Sequence, residues 1–183
     1  MIREANTDDL KQIIDITVRS RQSIYANVMP ASIWSDKPYE DWYKSFSAII
    51  DGTTHIEKAK LFVVDDNNNI HGFGVAGYLD ENYRDKLSLH WIWEIFLDPN
   101  QKGHGYGKML MHEMIAFFMK DGAKEFGLSV GKTNTHARGF YNKIGGEVIK
   151  TFDENNVHGH IVPAYIYQWD NLSEALELTR YDD

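Results

Sequence analysis

The sequence predicts an α/β domain built on one mixed sheet with helices on both faces. Two observations predict it. Short apolar, strand-like runs alternate with segments of helical periodicity along the chain, and no internal repeat, low-complexity stretch or linker interrupts the order. With 43% hydrophobic and 25% charged residues the composition is that of an ordinary globular protein, and 183 residues suffice for one core but fall short of two of normal size. A single domain over residues 1–183 is expected.

Met1 to Glu4 reads as a short strand. Thr7-Asp8-Asp9 then starts a helix, with Thr7 as the expected cap, and Leu10, Ile13, Ile14 and Val18 recur at helical spacing. A second helix is expected from Tyr39 to Ile50, with Trp42, Phe46, Ile49 and Ile50 on one face; the connection before it carries Pro30 and Pro38 and is long enough to shape a pocket. Leu61 to Val64 and Gly72 to Leu79 form a hairpin about the turn Asp65 to Asn69. The aromatic and apolar run Leu87 to Leu97 stops at Asp98-Pro99 and passes through a glycine cluster into Lys108 to Lys120, whose strong helix formers predict a buried helix. A strand from Phe126 to Val130 follows, then a helix from Thr135 to Ile144 stopped by Gly145-Gly146. Strands near Val148 and from Ala164 to Trp169 close the sheet around an Asn155-Asn156 turn, and the polar end is a short helix or frayed tail.

Composition narrows the function. No run approaches the roughly 20 apolar residues that a membrane span needs, and Met1 to Ala5 lacks the apolar stretch of a signal peptide, so a cytoplasmic protein without membrane partners is expected. The absence of cysteine removes disulfides, thiolate metal sites and a cysteine nucleophile together. A net charge of -8 opposes binding to nucleic acid and suits cationic amines, although solubility alone also explains it. The eight histidines form no HxxxH or HExxH pair, and without cysteine the spacing of His158 and His160 is a poor metal signal, so no metal is expected; His158-Gly159-His160 follows the last turn and reads as a solvated hairpin tip, the alternative being a border of the acceptor pocket.

The segment Lys102-Gly103-His104-Gly105-Tyr106-Gly107 follows a strand and precedes a helix. Successive backbone N–H groups and the positive helix end converge there, and alternate glycines let a phosphate approach the main chain, which makes an anion site suited to a pyrophosphate. Neither a GxGxxG fingerprint at the start of a βαβ unit nor a Walker loop is present, since Gly107-Lys108 is followed by Met109.

Two segments resemble a known family. Asp98-Pro99-Asn100-Gln101-Lys102-Gly103-His104-Gly105-Tyr106-Gly107-Lys108 is similar to the acetyl-CoA signature of GNAT acetyltransferases, with Lys102 where Gln or Arg is usual. Downstream, Asn134-Thr135-His136-Ala137-Arg138-Gly139-Phe140-Tyr141-Asn142-Lys143-Ile144-Gly145 resembles the family's N-x-x-A-x-x-F-Y-x-K-x-G segment, with Gly145-Gly146 in place of the usual Gly-Phe. The resemblance implies the GNAT fold, with a mixed sheet of about six to seven strands and a splay between the fourth and fifth. It implies acetyl-CoA as cosubstrate, its arm against the backbone of Ile95, Phe96 and Leu97 and its pyrophosphate on Lys102, Gly103, His104, Gly105, Tyr106, Gly107 and Lys108. Asn134 would meet the arm or acetyl end, and Lys143 joins this set through the second segment. A homodimer is a family expectation.

Acetyl transfer to an amine needs an unprotonated nucleophile, a stabilised oxyanion and a proton for the departing thiolate. Glu94, a carboxylate within Trp91-Ile92-Trp93-Glu94-Ile95-Phe96-Leu97, is the candidate base; its other possible role is a strand-edge carboxylate paired with a neighbouring cation. Tyr141, which the family segment places beside the sulfur, is the candidate acid. A main-chain N–H of the strand ending at Leu97 would meet the oxyanion. Tyr25, Trp34, Trp42 and Tyr43 are candidates for the acceptor wall, with Trp42 equally suited to the core, and Asp36, Glu40 and Asp41 for attracting a cation or serving the helix dipole. Direct acetyl transfer to a small primary amine is therefore expected, the alternatives being an acyl-CoA-binding module without turnover, a phosphate-binding domain unrelated to CoA, and an acetyltransferase acting on protein N-termini or lysines.

Overall fold

The computed structural model describes residues 1–26, 30, 32, 39–80, 87–101, 103–155 and 161–181. In chain order its elements are β1 (Ile2–Glu4), α1 (Leu10–Ile24), α2 (Tyr39–Ile50), β2 (Lys60–Asp66), β3 (Asn69–Tyr78), β4 (His90–Leu97), α3 (Tyr106–Lys120), β5 (Phe126–Gly131), α4 (Thr135–Lys143), β6 (Glu147–Asn155), β7 (Ile161–Trp169) and α5 (Leu172–Leu178). The strands form one sheet in the order β1-β2-β3-β4-β5-β7-β6. Every neighbouring pair is antiparallel except β4 and β5, which run parallel. Among the described residues no helix is long and apolar enough to cross a membrane.

Alternation along β2 shows how one sheet carries two cores, because successive side chains of a strand point to opposite faces. Leu61 and Val63 pack with Leu10, Ile13 and Ile14 of α1 and Trp42, Phe46 and Ile49 of α2. Phe62 and Val64 pack on the other face with Leu110, Met111, Met114, Ile115 and Phe118 of α3, in a cluster continued by Phe126, Leu128, Tyr167 and Trp169. The β2–β3 turn closes because Asn67 and Asn68 both take positive φ, 52° and 66°, which asparagine tolerates better than most residues.

The start of α1 departs from expectation. Asn6, not Thr7, is the cap: its side-chain oxygen accepts the Asp8 N–H at 2.8 Å, and the Asp9 carboxylate receives the Asn6 N–H at 2.9 Å. Thr7 lies inside the 3₁₀ turn Thr7–Asp9 that leads into the helix. A capping box pairs an N-cap side-chain oxygen, which accepts a first-turn N–H, with a side chain three positions on that accepts the N-cap N–H, and Asn6 with Asp9 satisfies that spacing. Arg3 then donates to Asp9 at 2.7 and 2.8 Å and to Asp65 at 2.8 Å, tying β1, α1 and β2 together. The helix expected from Lys108 begins at Tyr106, since Gly105 takes the capping position. The tail forms α5, capped by the Asn171 side chain on the Glu174 N–H at 3.2 Å.

The feature that positions the site is the parting of β4 from β5. Their pairing is confined to Trp91 with Gly127 and Ile92 with Leu128, while β4 runs on to Leu97 and β5 to Gly131. On the other side of β4, Val75 faces Glu94 and Ala76 faces Ile92, so Trp93 is the extra residue of a β-bulge. A bulge bends its strand and ends regular pairing, and this one sits where the two strands separate. Gly127 permits the last close contact, since a Cβ there would lie 2.5 Å from Trp91 Cζ3.

Candidate active site

Between the parted strands lies a cleft of about 160 Å³. Residues 92–96 of β4 form one wall, residues 128–131 of β5 the other, and Arg21 and Ile24 of α1 with Tyr25 just after it close one side; Asn134, Ala137 and Tyr141 from the α4 segment complete it. Glu94 and Tyr141, distant in sequence, thus share one cavity. The bulge aims Glu94. Ile92 and Ile95 pack with the α3-side cluster and Trp93 and Phe96 with the α1-side cluster, so Trp93 and Glu94 break the alternation and Glu94 meets α1. Its Oε1 accepts from Arg21 Nη2 at 2.8 Å. Its Oε2 is buried and accepts no hydrogen bond among the described residues. The pairing with a neighbouring cation foreseen as the alternative role of Glu94 is therefore present, in the same cleft that holds Tyr141.

Tyr141 is buried, its ring 5.6 Å from Tyr167 and edge-on to Trp169 at 5.9 Å. Burial, with a smaller contribution from Tyr167, pushes the phenol well above its ordinary value. The hydroxyl thus stays protonated at neutral pH and can serve as a donor. Asn134 caps α4, its Oδ1 accepting the Ala137 N–H at 3.2 Å, which fixes the amide at the edge of the cleft.

The glycine loop enters α3 in a conformation open to other residues only under strain. Gly103 and Gly105 have φ of 87° and 79°, and a Cβ at either would meet no atom within 4 Å. Gly105 caps α3 without a side chain, its carbonyl accepting from the N–H groups of Lys108 and Met109 at 2.9 and 3.0 Å. No hydrogen bond among the described residues takes the N–H groups of residues 103–107. Open space and N–H groups without an acceptor among the described residues, at a helix N-terminus, make a fitting cradle for a pyrophosphate. Asp98 anchors the approach: it caps the turn on the Asn100 N–H at 3.0 Å, pairs with Arg19 at 2.8 Å, and its own N–H reaches the His71 carbonyl at 2.8 Å. The Tyr106 ring stacks with His71 at 5.1 Å and with His104 at 5.6 Å.

The other expected residues divide. Ile95 and Phe96 line the cleft, whereas Leu97 does not; its carbonyl accepts from Ser20 Oγ at 2.7 Å and its side chain joins the α3-side core. Lys108 is partly buried on α3, and Lys143 is exposed at the end of α4. Tyr25 lines the cleft, while Trp42 is a core residue stacked on Phe46 at 6.2 Å. Tyr43, Glu40 and Asp41 are exposed on α2. Lys102, Trp34, Asp36, Asn156, His158 and His160 lie outside the described residues. Sequence reasoning missed Arg21, Ser20, Ser129 and His71. Only Arg21 carried a signal, a cation within the helix expected to border the acceptor side, and nothing set it apart from Arg19.

Residues 18–146 match the model of the acetyltransferase (GNAT) family. The chain is 25% identical over 146 residues to an uncharacterized N-acetyltransferase of Methanocaldococcus jannaschii, an alignment covering 80% of this chain and 60% of that protein's length. It is 29% identical over 148 residues to an uncharacterized N-acetyltransferase of Archaeoglobus fulgidus, covering 76% and 88%. In structure it resembles the PaiA N-acetyltransferase of Thermoplasma acidophilum in complex with coenzyme A, with a TM-score of 0.66 at 17% identity over 90% of this chain and 96% of that one.

Proposed function

The chain belongs to the acetyltransferase (GNAT) family, and from that premise we propose that it moves the acetyl group of acetyl-CoA directly to a primary amine, a small molecule in the simplest case. The observation that carries the proposal is the meeting of a carboxylate, Glu94, and a protonated phenol, Tyr141, in one cleft where β4 and β5 part. The N–H groups of residues 103–107 hold the pyrophosphate, with Lys108 on the first turn of α3 adding positive charge. The cleft between Ile95, Phe96 and β5 takes the arm, and Asn134 orients its end. Bound there, the cosubstrate supplies a thioester carbonyl within reach of an amine entering from the α1 side.

Each residue then has one task. Glu94 Oε2 accepts the amine proton, directly or through water, as the nitrogen attacks. A backbone N–H of Ile95 or Phe96, freed from strand pairing by the splay, faces the developing negative charge. Tyr141 gives its proton to the departing sulfur. Holding the reactants in one cavity supplies much of the acceleration. The family resemblance of the coenzyme A complex supports the cosubstrate, and the acidic net charge of -8 supports a cationic amine over an anionic acceptor.

Calorimetric titration of the purified protein with acetyl-CoA, CoA and NAD tests the premise of this chemistry. Acetyl-CoA and CoA should both bind and NAD should not. Failure of both CoA species to bind would overturn the proposal.

A further inference from the structure

We infer that Arg21 is a positioning residue for acetyl transfer, holding Glu94 by one oxygen so that the other is kept for the incoming amine; the inference rests on the assignment of Glu94 as the base. Three observations support it. The Arg21 Nη2 to Glu94 Oε1 distance is 2.8 Å, with the two side chains 17% and 22% exposed, so the pair is largely shielded from water at the wall of the cleft. The guanidinium carbon lies 5.1 Å from the centre of the Phe96 ring and 5.4 Å from that of Trp42. These rings come from β4 and α2, so α1, α2 and β4 all fix the cation in place. A planar guanidinium against aromatic faces has few alternative positions, and a carboxylate bonded to it inherits that order.

The third observation is the inequivalence of the two carboxylate oxygens. Oε1 is occupied, while Oε2 is buried and receives no donor from any described residue. A buried acceptor without a donor is unfavourable in the free protein, and a ligand N–H placed in the cleft removes that penalty. An ion pair serving the fold alone gains nothing from leaving one oxygen unsatisfied beside a cavity. Here the residue that carries the unsatisfied oxygen lines the same cleft as Tyr141, on the wall that α1 completes. Arg21 acts through Glu94, and lysine is a poor replacement: its ammonium is a point charge on a flexible stem, without the planar fork that orients the partner.

The test uses the amine that gives the fastest thiol release from acetyl-CoA in a panel of primary amines. R21Q should lower kcat by about 10-fold or more while leaving the calorimetric Kd of acetyl-CoA within about twofold. E94Q should fall at least as far, and R21Q/E94Q should be no slower than E94Q, since one residue works through the other. R21K should be intermediate, and guanidinium added to R21A should raise kcat but should not do so in R21A/E94Q. Wild-type kcat in folded R21Q, or a double-variant loss equal to the product of the single losses, would overturn the inference. Should R21Q fail to fold, R21K decides, and a wild-type rate in it would contradict the need for the fork. If the wild-type protein releases no thiol with any amine, the proposed function itself fails and Arg21's role with it; wild-type turnover with an unaffected Arg21 variant removes the role alone.

Discussion

Tyr141 illustrates how much chemistry depends on one residue's surroundings. Burial raises its phenol above the ordinary value of 10.0, so the hydroxyl is protonated throughout the working range. Tyr141→Phe should lower kcat by about 10²-fold, the usual worth of a positioned general acid, with acetyl-CoA affinity unchanged by calorimetry. The sign of the shift gives a second expectation: a pH–rate profile should show no alkaline decline from loss of this proton below pH 10. At Gly105, φ of 79° and the open space around an added Cβ give Gly105→Val two effects. The left-handed conformation costs a β-branched residue about 1–2 kcal/mol, and the side chain fills the space where a phosphate would rest, so acetyl-CoA binding should weaken by about 10-fold or more. At this scale the sequence singled out three residues that line the cleft, Glu94, Tyr141 and Asn134, because each stood inside a recognisable segment. Arg21 and Ser20 were not, because a helical pattern shows which face is buried but not which strand residue the helix crosses.

Among the elements, β4 shows where pattern reading ends. Trp91 to Leu97 is apolar at nearly every position, so a period of two cannot register it and the bulge at Trp93 leaves no trace in the sequence. Its consequence, the parting of β4 from β5, was expected only through the family resemblance. Gly127→Ala should test the junction: its Cβ would lie 2.5 Å from Trp91 Cζ3 and 3.1 Å from the Tyr167 carbonyl oxygen, an overpacking worth about 1–3 kcal/mol, read as a lower denaturation midpoint. At the start of α1, Thr7 was expected to cap because the acids after it resemble a first turn, yet Asn6 and Asp9 form the reciprocal pair. Burial pushes the Asp9 carboxyl up, but the hydrogen bonds from Arg3 and the Asn6 N–H outweigh it and hold it below the usual value of 3.8. A carboxyl depressed on folding contributes stability that is fully present above the unfolded value and is lost as pH falls through the folded one. Asp9→Asn should therefore destabilise by about 1–2 kcal/mol at pH 7, and thermal melts should show the gap to wild type closing below pH 3.8.

For the whole molecule, the order of strands and helices followed from alternating periodicities, and each expected strand and helix has its counterpart among the described elements, whereas Asn155 of the expected last turn still belongs to β6. Strand order did not: β7 lies between β5 and β6, an arrangement that local pattern cannot express. The acceptor is the least legible part of the proposed reaction, because the cleft is lined by side chains of several elements and a fold does not by itself fix a substrate. The central claim is transfer, and thiol release from acetyl-CoA in the presence of a panel of primary amines, with the products identified by mass spectrometry, tests it most directly. Release should depend on one class of amine and match the N-acetylated product mole for mole; acetyl-CoA binding with no release for any amine would contradict transfer and leave a binding module.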